Sequence, residues 1–293
     1  MVAIAGRSVT APVRFWRETL PVVATLSPMS ILGRLKHLRP VQKLRRARHR
    51  RYFESAAGQA LHDGVFRTFA EAAATEPGAK GFNEPMHASE YADRLGRVFP
   101  YDYPVLFWLQ QMFAGATALD LVDIGGNIGL HYYAYGNLLR FPPRLTWRVI
   151  EVEAVVKAGR ERAERLGAQG LEFATSLEAL EPADIVLSAG ALHYIEQPLL
   201  WDVIERAHTK PAHVLLNKLP LYEGEDFVSL QNIGDGFSPH YVWNRKDFVR
   251  RFERLGYHLV DDWSVLERHF ELFDDPVHSF GAYSGLYLRR DPR

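Results

Sequence analysis

Two short stretches hold residue types at spacings that could do chemistry. Leu121-Val122-Asp123-Ile124-Gly125-Gly126-Asn127-Ile128-Gly129 runs from an apolar strand through an acid into a glycine-rich turn. Glycines let the backbone pass close to a ligand, and a helix opening behind them aims its unpaired N–H groups at it. Trp147-Arg148-Val149-Ile150-Glu151 then ends in a carboxylate 22 positions beyond Gly129. An acid at that interval is placed to accept hydrogen bonds from both hydroxyls of a ribose, and it repels a phosphate. Glu153 is its neighbouring competitor and reads as a helix-start residue. Each stretch taken singly has a plainer alternative. The glycines can serve the geometry of a strand-to-helix turn, and Glu151 can be a solvent-facing strand end or a cap for the next helix.

What the chain lacks narrows the chemistry further. With no cysteine among 293 residues, disulfides, thiolate metal sites and thiol nucleophiles are excluded. Asp184 alone makes no aspartate cluster for a hard cation, so no metal is expected.

These residues need elements to hold them. The pattern predicts strands at 118–124, 146–152, 171–174, 184–188 and 213–217, with two more at 258–265 and 285–288. Helices are predicted at 129–139, 155–166, 197–207 and 244–255, and Pro104 opens an apolar helix over Tyr103–Phe113. Strands alternating with helices mean a parallel sheet covered on both faces, which binds ligands beyond the carboxyl ends of its strands where strand order reverses. Asp63-Gly64 reads as a turn leading into a short helix, with Thr68 and Glu71 at capping-box spacing. The glycine-bearing stretch Gln231–Val242 reads as a loop over the site.

Taken together, these motifs resemble the class I S-adenosylmethionine-dependent methyltransferases. More narrowly, the chain is similar to a bacterial methyltransferase family often associated with cell-surface polysaccharide gene clusters. The likeness runs from about Asp63 to Arg289. Besides the two stretches above, its carriers are Asp63-Gly64-Val65-Phe66, Asp184-Ile185-Val186-Leu187-Ser188-Ala189-Gly190-Ala191-Leu192-His193-Tyr194-Ile195, Ser229-Leu230-Gln231 and Phe252-Glu253-Arg254-Leu255-Gly256-Tyr257.

The resemblance implies an α/β fold, a Rossmann-like, doubly wound, seven-stranded and mostly parallel sheet over residues 63–293; the proline-punctuated basic segment before it, 1–62, reads as a partly helical appendage. It implies S-adenosylmethionine as cofactor, with Asp123, Gly125, Gly126, Asn127 and Gly129 around its aminocarboxypropyl end and Glu151 on its ribose. Thr175 and Ser176 fall at the adenine side, where many relatives carry an acid. Asn127 stands where the general class has glycine, in keeping with the narrower family. Methyl transfer needs an acceptor nucleophile in line with the methyl and in some cases a base. His193 and then His240 are the candidate bases, with His131, Lys218 and Gln231 as pocket-lining groups.

No Asn/Asp-Pro-Pro-aromatic run follows the fourth strand, so amino groups of nucleobases or glutamine are disfavoured as acceptors, and cysteine-based cytosine methylation is excluded. The implied activity is O-methylation of a small molecule or glycan precursor. Two rivals are a non-catalytic module on the same scaffold and an NAD-type oxidoreductase, which would want a tighter Gly-x-Gly-x-x-Gly turn.

Charge points the same way. Equal numbers of basic and acidic residues, 35 of each, hide an asymmetry: nine Lys/Arg and no acid lie between Arg34 and Arg51. Residues 52–293 carry 23 basic against 34 acidic residues, a formal charge of −11 that repels nucleic acid. Leu35, Leu38, Val41 and Leu44 recur every third residue within the basic run. That pattern suits a helix docking at a membrane surface or a protein through residues 34–51, or packing its leucines on the domain. The apolar stretch Leu20–Leu32 contains two prolines and falls short of the ~18–20 residues of a bilayer span. A secretory signal fits poorly, so a cytoplasmic protein is expected.

Overall fold

A computed structural model describes residues 39–76 and 96–291. The chain divides into two units, Met1–Arg45 and Arg46–Arg293. The break expected after residue 62 falls inside the second unit, and the repeat positions Leu35 and Leu38 lie outside the described residues. Helix α1 (Arg39–Phe53) leads to β1 (His62–Phe66), α2 (Phe69–Ala73) and α3 (Tyr103–Phe113). There follow β2 (Ala118–Ile124), α4 (Leu130–Gly136), β3 (Arg144–Ile150), α5 (Glu153–Leu166), β4 (Leu171–Ala174), β5 (Ile185–Ala189) and α6 (Leu200–Arg206). The remainder is β6 (His213–Leu219), β7 (Leu221–Tyr222), β8 (Phe227–Asn232), β9 (Phe237–Asn244), α7 (Arg245–Glu253), β10 (Tyr257–Val265), β11 (Phe270–Leu272), β12 (Asp275–Phe280) and β13 (Tyr283–Arg290).

Seven strands make one sheet in the order β10-β13-β6-β5-β2-β3-β4. Strands β2 to β6 are parallel, and β13 runs antiparallel to both of its neighbours. Successive side chains of a strand face opposite ways, so a strand covered on both sides is apolar throughout. Thus Ile185 and Leu187 of β5 join Leu215 of β6 against α3, α4 and α5. Val186, Val214 and Leu216 join the opposite core with Leu200 and Ile204 of α6 and Phe248 and Phe252 of α7. Each such fully buried aliphatic side chain contributes roughly 1.5–3 kcal/mol. The chain steps from β2 outward through β3 to β4, then returns to place β5 on the other side of β2. The crevice between the ends of β2 and β5 is therefore the switch point where α/β sheets bind ligands.

The expected doubly wound sheet is present, with shifted edges. Strand β3 ends at Ile150 instead of Val152, because extended Val152 (φ −67°, ψ 153°) is the cap of α5. That puts Glu151 one residue past the strand, at the head of the loop.

A second sheet, β1-β8-β9-β7, was not foreseen. Asp63-Gly64 is no turn: the β1–β8 register slips between Asp63 and Phe66, and Gly64, at φ +81°, sits in that bulge. Likewise Gln231–Val242 is not a loop. It holds the end of β8, a tight turn and most of β9, whose Pro239 pairs with Leu230 on a stretch open on its other side. Thr68 caps α2 by accepting the Glu71 N–H at 3.1 Å, while the Glu71 carboxylate accepts from Arg67 rather than from the cap residue.

The end of the basic run is engaged within the second unit. Arg50 Nη1 donates to Asp63 at 2.8 Å, and the His49 ring stacks on Phe273 at 4.3 Å. Among the described residues no helix is long and apolar enough to cross a membrane.

Candidate active site

Strands β2, β3 and β4 finish level with one another and β5 runs one residue further, and the residue after each lines one cavity. The β2 to β3 register pairs Ile124 with Ile150, and β3 to β4 pairs Ile150 with Ala174. Gly125, Glu151, Thr175 and Gly190 therefore follow β2, β3, β4 and β5 side by side on the cavity wall. Gly125 N–H donates to Ile150 O at 2.9 Å, and Glu151 N–H to Ala174 O at 3.0 Å, extending the ladders into the loops. Gly125 has φ +74°, and a Cβ there would stand 2.0 Å from that of Ala191, so only glycine lets the two loops touch.

The turn rests on Asp123, which sequence reasoning placed against the cofactor. It is instead fully buried beneath the turn and does not line the cavity. Its Oδ2 accepts from Trp147 Nε1 at 3.2 Å and lies 2.9 Å from His131 Nδ1. Gly126 is needed because a Cβ there would come within 2.4 Å of that same oxygen. Gly126 and Gly129 do not line the cavity either; Gly129 opens α4 with φ +89°. Asn127 does line it, in a left-handed conformation (φ 53°) that its own Oδ1 supports by accepting Ile128 N–H at 2.9 Å.

Glu151 faces this turn across the strand ends. Its Oε1 accepts Asn127 N–H at 3.2 Å and its Oε2 accepts Val152 N–H at 3.0 Å. Each carboxylate oxygen keeps a further lone pair for a ligand. Burial pushes the Glu151 carboxyl above its ordinary range, against the opposing pull of the two N–H bonds. Thr175 and Ser176 are both exposed on the cavity wall; Ser176 Oγ accepts Glu178 N–H at 3.1 Å, so it caps the following 3-10 turn.

The cavity measures about 1610 Å³ and continues past Gly190 and Ala191 to a second end. There His193 sits in the turn Leu192–Tyr194, 4% exposed, with its ring 4.2 Å from Tyr194 and 5.4 Å from His240. His240 is not in a loop: it is a fully buried residue of β9 that stands behind the wall instead of lining it. Its Nδ1–H donates to Tyr241 O at 3.0 Å, leaving Nε2 bare. His62, the first residue of β1, completes the cluster 5.0 Å from His240, and it lines the cavity.

One nitrogen of each ring, His62 Nε2, His193 Nδ1 and His240 Nε2, is buried without a hydrogen-bond partner. Burial holds all three well on the neutral side, with His240 lowered to about 4. Among the described residues no group of three or more His, Asp or Glu is arranged to hold a metal ion.

His131, Lys218 and Gln231 also line the cavity, and Tyr194 Oη donates to Gln231 Oε1. His62, Tyr101, Arg268 and Tyr283 do too, and sequence reasoning missed them. His62 directly precedes a dipeptide that reads as a turn, and only the β1–β8 pairing with Gln231 brings it to the site.

No family model matches the chain, and none of the curated proteins matches it. Among solved structures it is similar to the N-terminal domain of EvdMO1 with SAH bound, at 16% identity over 73% of this chain and 100% of that one, TM-score 0.44. It is also similar to a SAM-dependent methyltransferase from Aquifex aeolicus, at 14% identity over 70% of this chain and 97% of that one, TM-score 0.42. A third is magnesium protoporphyrin IX methyltransferase from Synechocystis PCC 6803 with bound SAM, at 14% identity over 84% of this chain and 96% of that one, TM-score 0.44.

Proposed function

We propose that the protein transfers a methyl group from S-adenosylmethionine to an oxygen atom of a small molecule or glycan precursor. The observation that carries this reading is one cavity running from the Glu151 carboxylate at the strand ends to the buried imidazole of His193. At about 1610 Å³ it exceeds the ~300–1000 Å³ that suits one drug-sized ligand, so it has room for a cofactor and an acceptor together.

The residues at the first end fit the cofactor. Glu151 offers free lone pairs to ribose hydroxyls, and its negative charge disfavours a phosphate there. Ile124, Val152 and Leu177 give apolar wall to an adenine, with Thr175 and Ser176 at its margin. Bound S-adenosylmethionine supplies an electrophilic methyl group on a sulfonium. At the second end, neutral His193 accepts the hydrogen bond of the acceptor hydroxyl, and takes its proton as the new C–O bond makes that proton acidic. Burial keeps His193 neutral and so able to accept.

The NAD-type rival is disfavoured by topology. A dinucleotide fold completes two parallel mononucleotide-binding halves, whereas here the sheet beyond β6 ends in the antiparallel pair β13 and β10.

Calorimetric titration with S-adenosylmethionine and S-adenosylhomocysteine, with NAD as control, tests the reading. Binding of both sulfur compounds is expected, weakened roughly a hundredfold by Glu151→Ala through loss of two charge-assisted bonds. Binding of NAD alone would overturn it.

A further inference from the structure

Strand β6 leads almost directly into β7, yet its penultimate residue, Lys218, adopts φ 56°. A left-handed conformation costs a long side chain roughly 1–2 kcal/mol and persists only where the surroundings over-determine it. Here Asn217 does so. It is fully buried, its Oδ1 accepts Lys218 N–H at 3.0 Å and Trp263 Nε1–H at 3.1 Å, and its Nδ2 donates to Tyr101 O at 2.8 Å.

The bend sets Lys218 on the cavity wall at the His193 end. Its stem lies against Gly190, where an added Cβ would be 3.1 Å from Lys218 Cε, and its Nζ is 5.0 Å from the Tyr101 ring centre. Arg268 lines the same cavity, and its carbonyl accepts the N–H of Tyr283, whose ring is 6.3 Å from that of His193.

The histidines add little charge of their own, since burial keeps them neutral. The permanently charged groups acting on His193 are Lys218 and Arg268, and Arg268 also acts on His62. Glu267 and Glu271 also line this wall on either side of Arg268.

We infer that the methyl acceptor is an anion, a small molecule whose carboxylate or phosphate is held by Lys218 and Arg268 while its hydroxyl meets His193. This rests on the methyl-transfer reading above.

The test is calorimetry on the full chain saturated with S-adenosylhomocysteine. The probes are inorganic phosphate, 4-hydroxybenzoate and its neutral analogue 4-hydroxybenzamide. At least one anion is expected to bind, and binding of phosphate alone would identify the anionic group as a phosphate. If the carboxylate binds, it is favoured over the amide by roughly tenfold or more, the effect of one lost charge-assisted hydrogen bond. Lys218→Met and the exposed-site variant Arg268→Gln each reduce anion binding by a similar factor. Their S-adenosylhomocysteine affinity, which neither side chain is proposed to touch, reports that they have folded.

Equal affinity for benzoate and benzamide, binding of neither anion, or anion binding unchanged in both variants would overturn the inference and leave methyl transfer standing. Failure of the wild-type chain to bind S-adenosylhomocysteine at all would overturn both.

Discussion

The two ends of the cavity are built on different principles. At the Glu151 end, short contiguous segments supply the wall, and its contacts are largely main-chain: Asn127 and Val152 N–H on the carboxylate, and Gly125 N–H on Ile150. At the His193 end, side chains from β1, β6, β8 and the segments after β5 and β10 converge, and the polar atoms include imidazole nitrogens with no partner. Apart from the Glu151 carboxylate, the first end is specified by backbone shape and should tolerate a side-chain change that leaves that shape intact. The second is specified by which side chains are present, and it carries a stability cost that depends on their protonation.

The sharpest way to break the first half of this contrast is to alter the backbone where it has no slack. Gly125→Ala introduces a Cβ 2.0 Å from Ala191 Cβ at a residue with φ +74°. Backbone strain and overpacking together should cost about 2–4 kcal/mol, read as a lower urea midpoint, and should abolish S-adenosylhomocysteine binding. A variant that kept wild-type stability would show that the loops after β2 and β5 are not locked together.

The second half is tested by acid. The folded pKa of His240 lies at about 4, below its ordinary 6.5, so between those values the unfolded chain binds a proton that the folded chain refuses. Stability conferred by keeping this ring neutral is therefore complete above pH 6.5 and is lost as pH falls towards 4, by about 3 kcal/mol for His240 alone. His62 and His193 are shifted in the same direction and steepen the loss. Urea unfolding across that range should show the fall, with a shallower slope in His240→Gln. A flat wild-type profile would mean that the rings are solvated and the second end is not a buried polar cluster.

The same contrast explains what the sequence revealed. The strand, turn and helix from Leu121 to Gly136 lie in one continuous stretch, and the apolar runs of β2, β5 and β6 announce strands buried on both faces. The turn and Glu151 were therefore legible, including the special role of the glycines. The place of Asp123 beneath the turn was not legible, because a strand-end acid looks alike whether it meets a ligand or supports the turn; here its carboxylate meets the ring nitrogens of Trp147 and His131.

The second sheet was hidden by local signals with two meanings. Asp63-Gly64 marks a turn or a bulge, and Pro239 ends a strand or sits on its open edge. With that sheet unseen, His62 could not be brought to His240, nor His240 placed in a strand. The bend at Lys218 had no local signal at all, since its cause is Asn217, which is held in turn by Trp263 and Tyr101.

The finest discrimination comes from the smallest change. Asn127→Gly removes a side chain but keeps the N–H that donates to Glu151 Oε1, and glycine accepts φ 53° without strain. What is lost is the Oδ1 bond to Ile128 N–H, roughly 0.5–1.5 kcal/mol, offset in part by relief of the left-handed conformation. Stability should therefore move by less than about 1 kcal/mol, and S-adenosylhomocysteine affinity, measured by the same calorimetry, by less than about threefold, because the main-chain support of Glu151 survives. A tenfold loss of affinity with stability unchanged would mean that the Asn127 amide itself meets the ligand. In that case the first end of the cavity also depends on a side chain, and the contrast with the histidine end would rest on Glu151 alone.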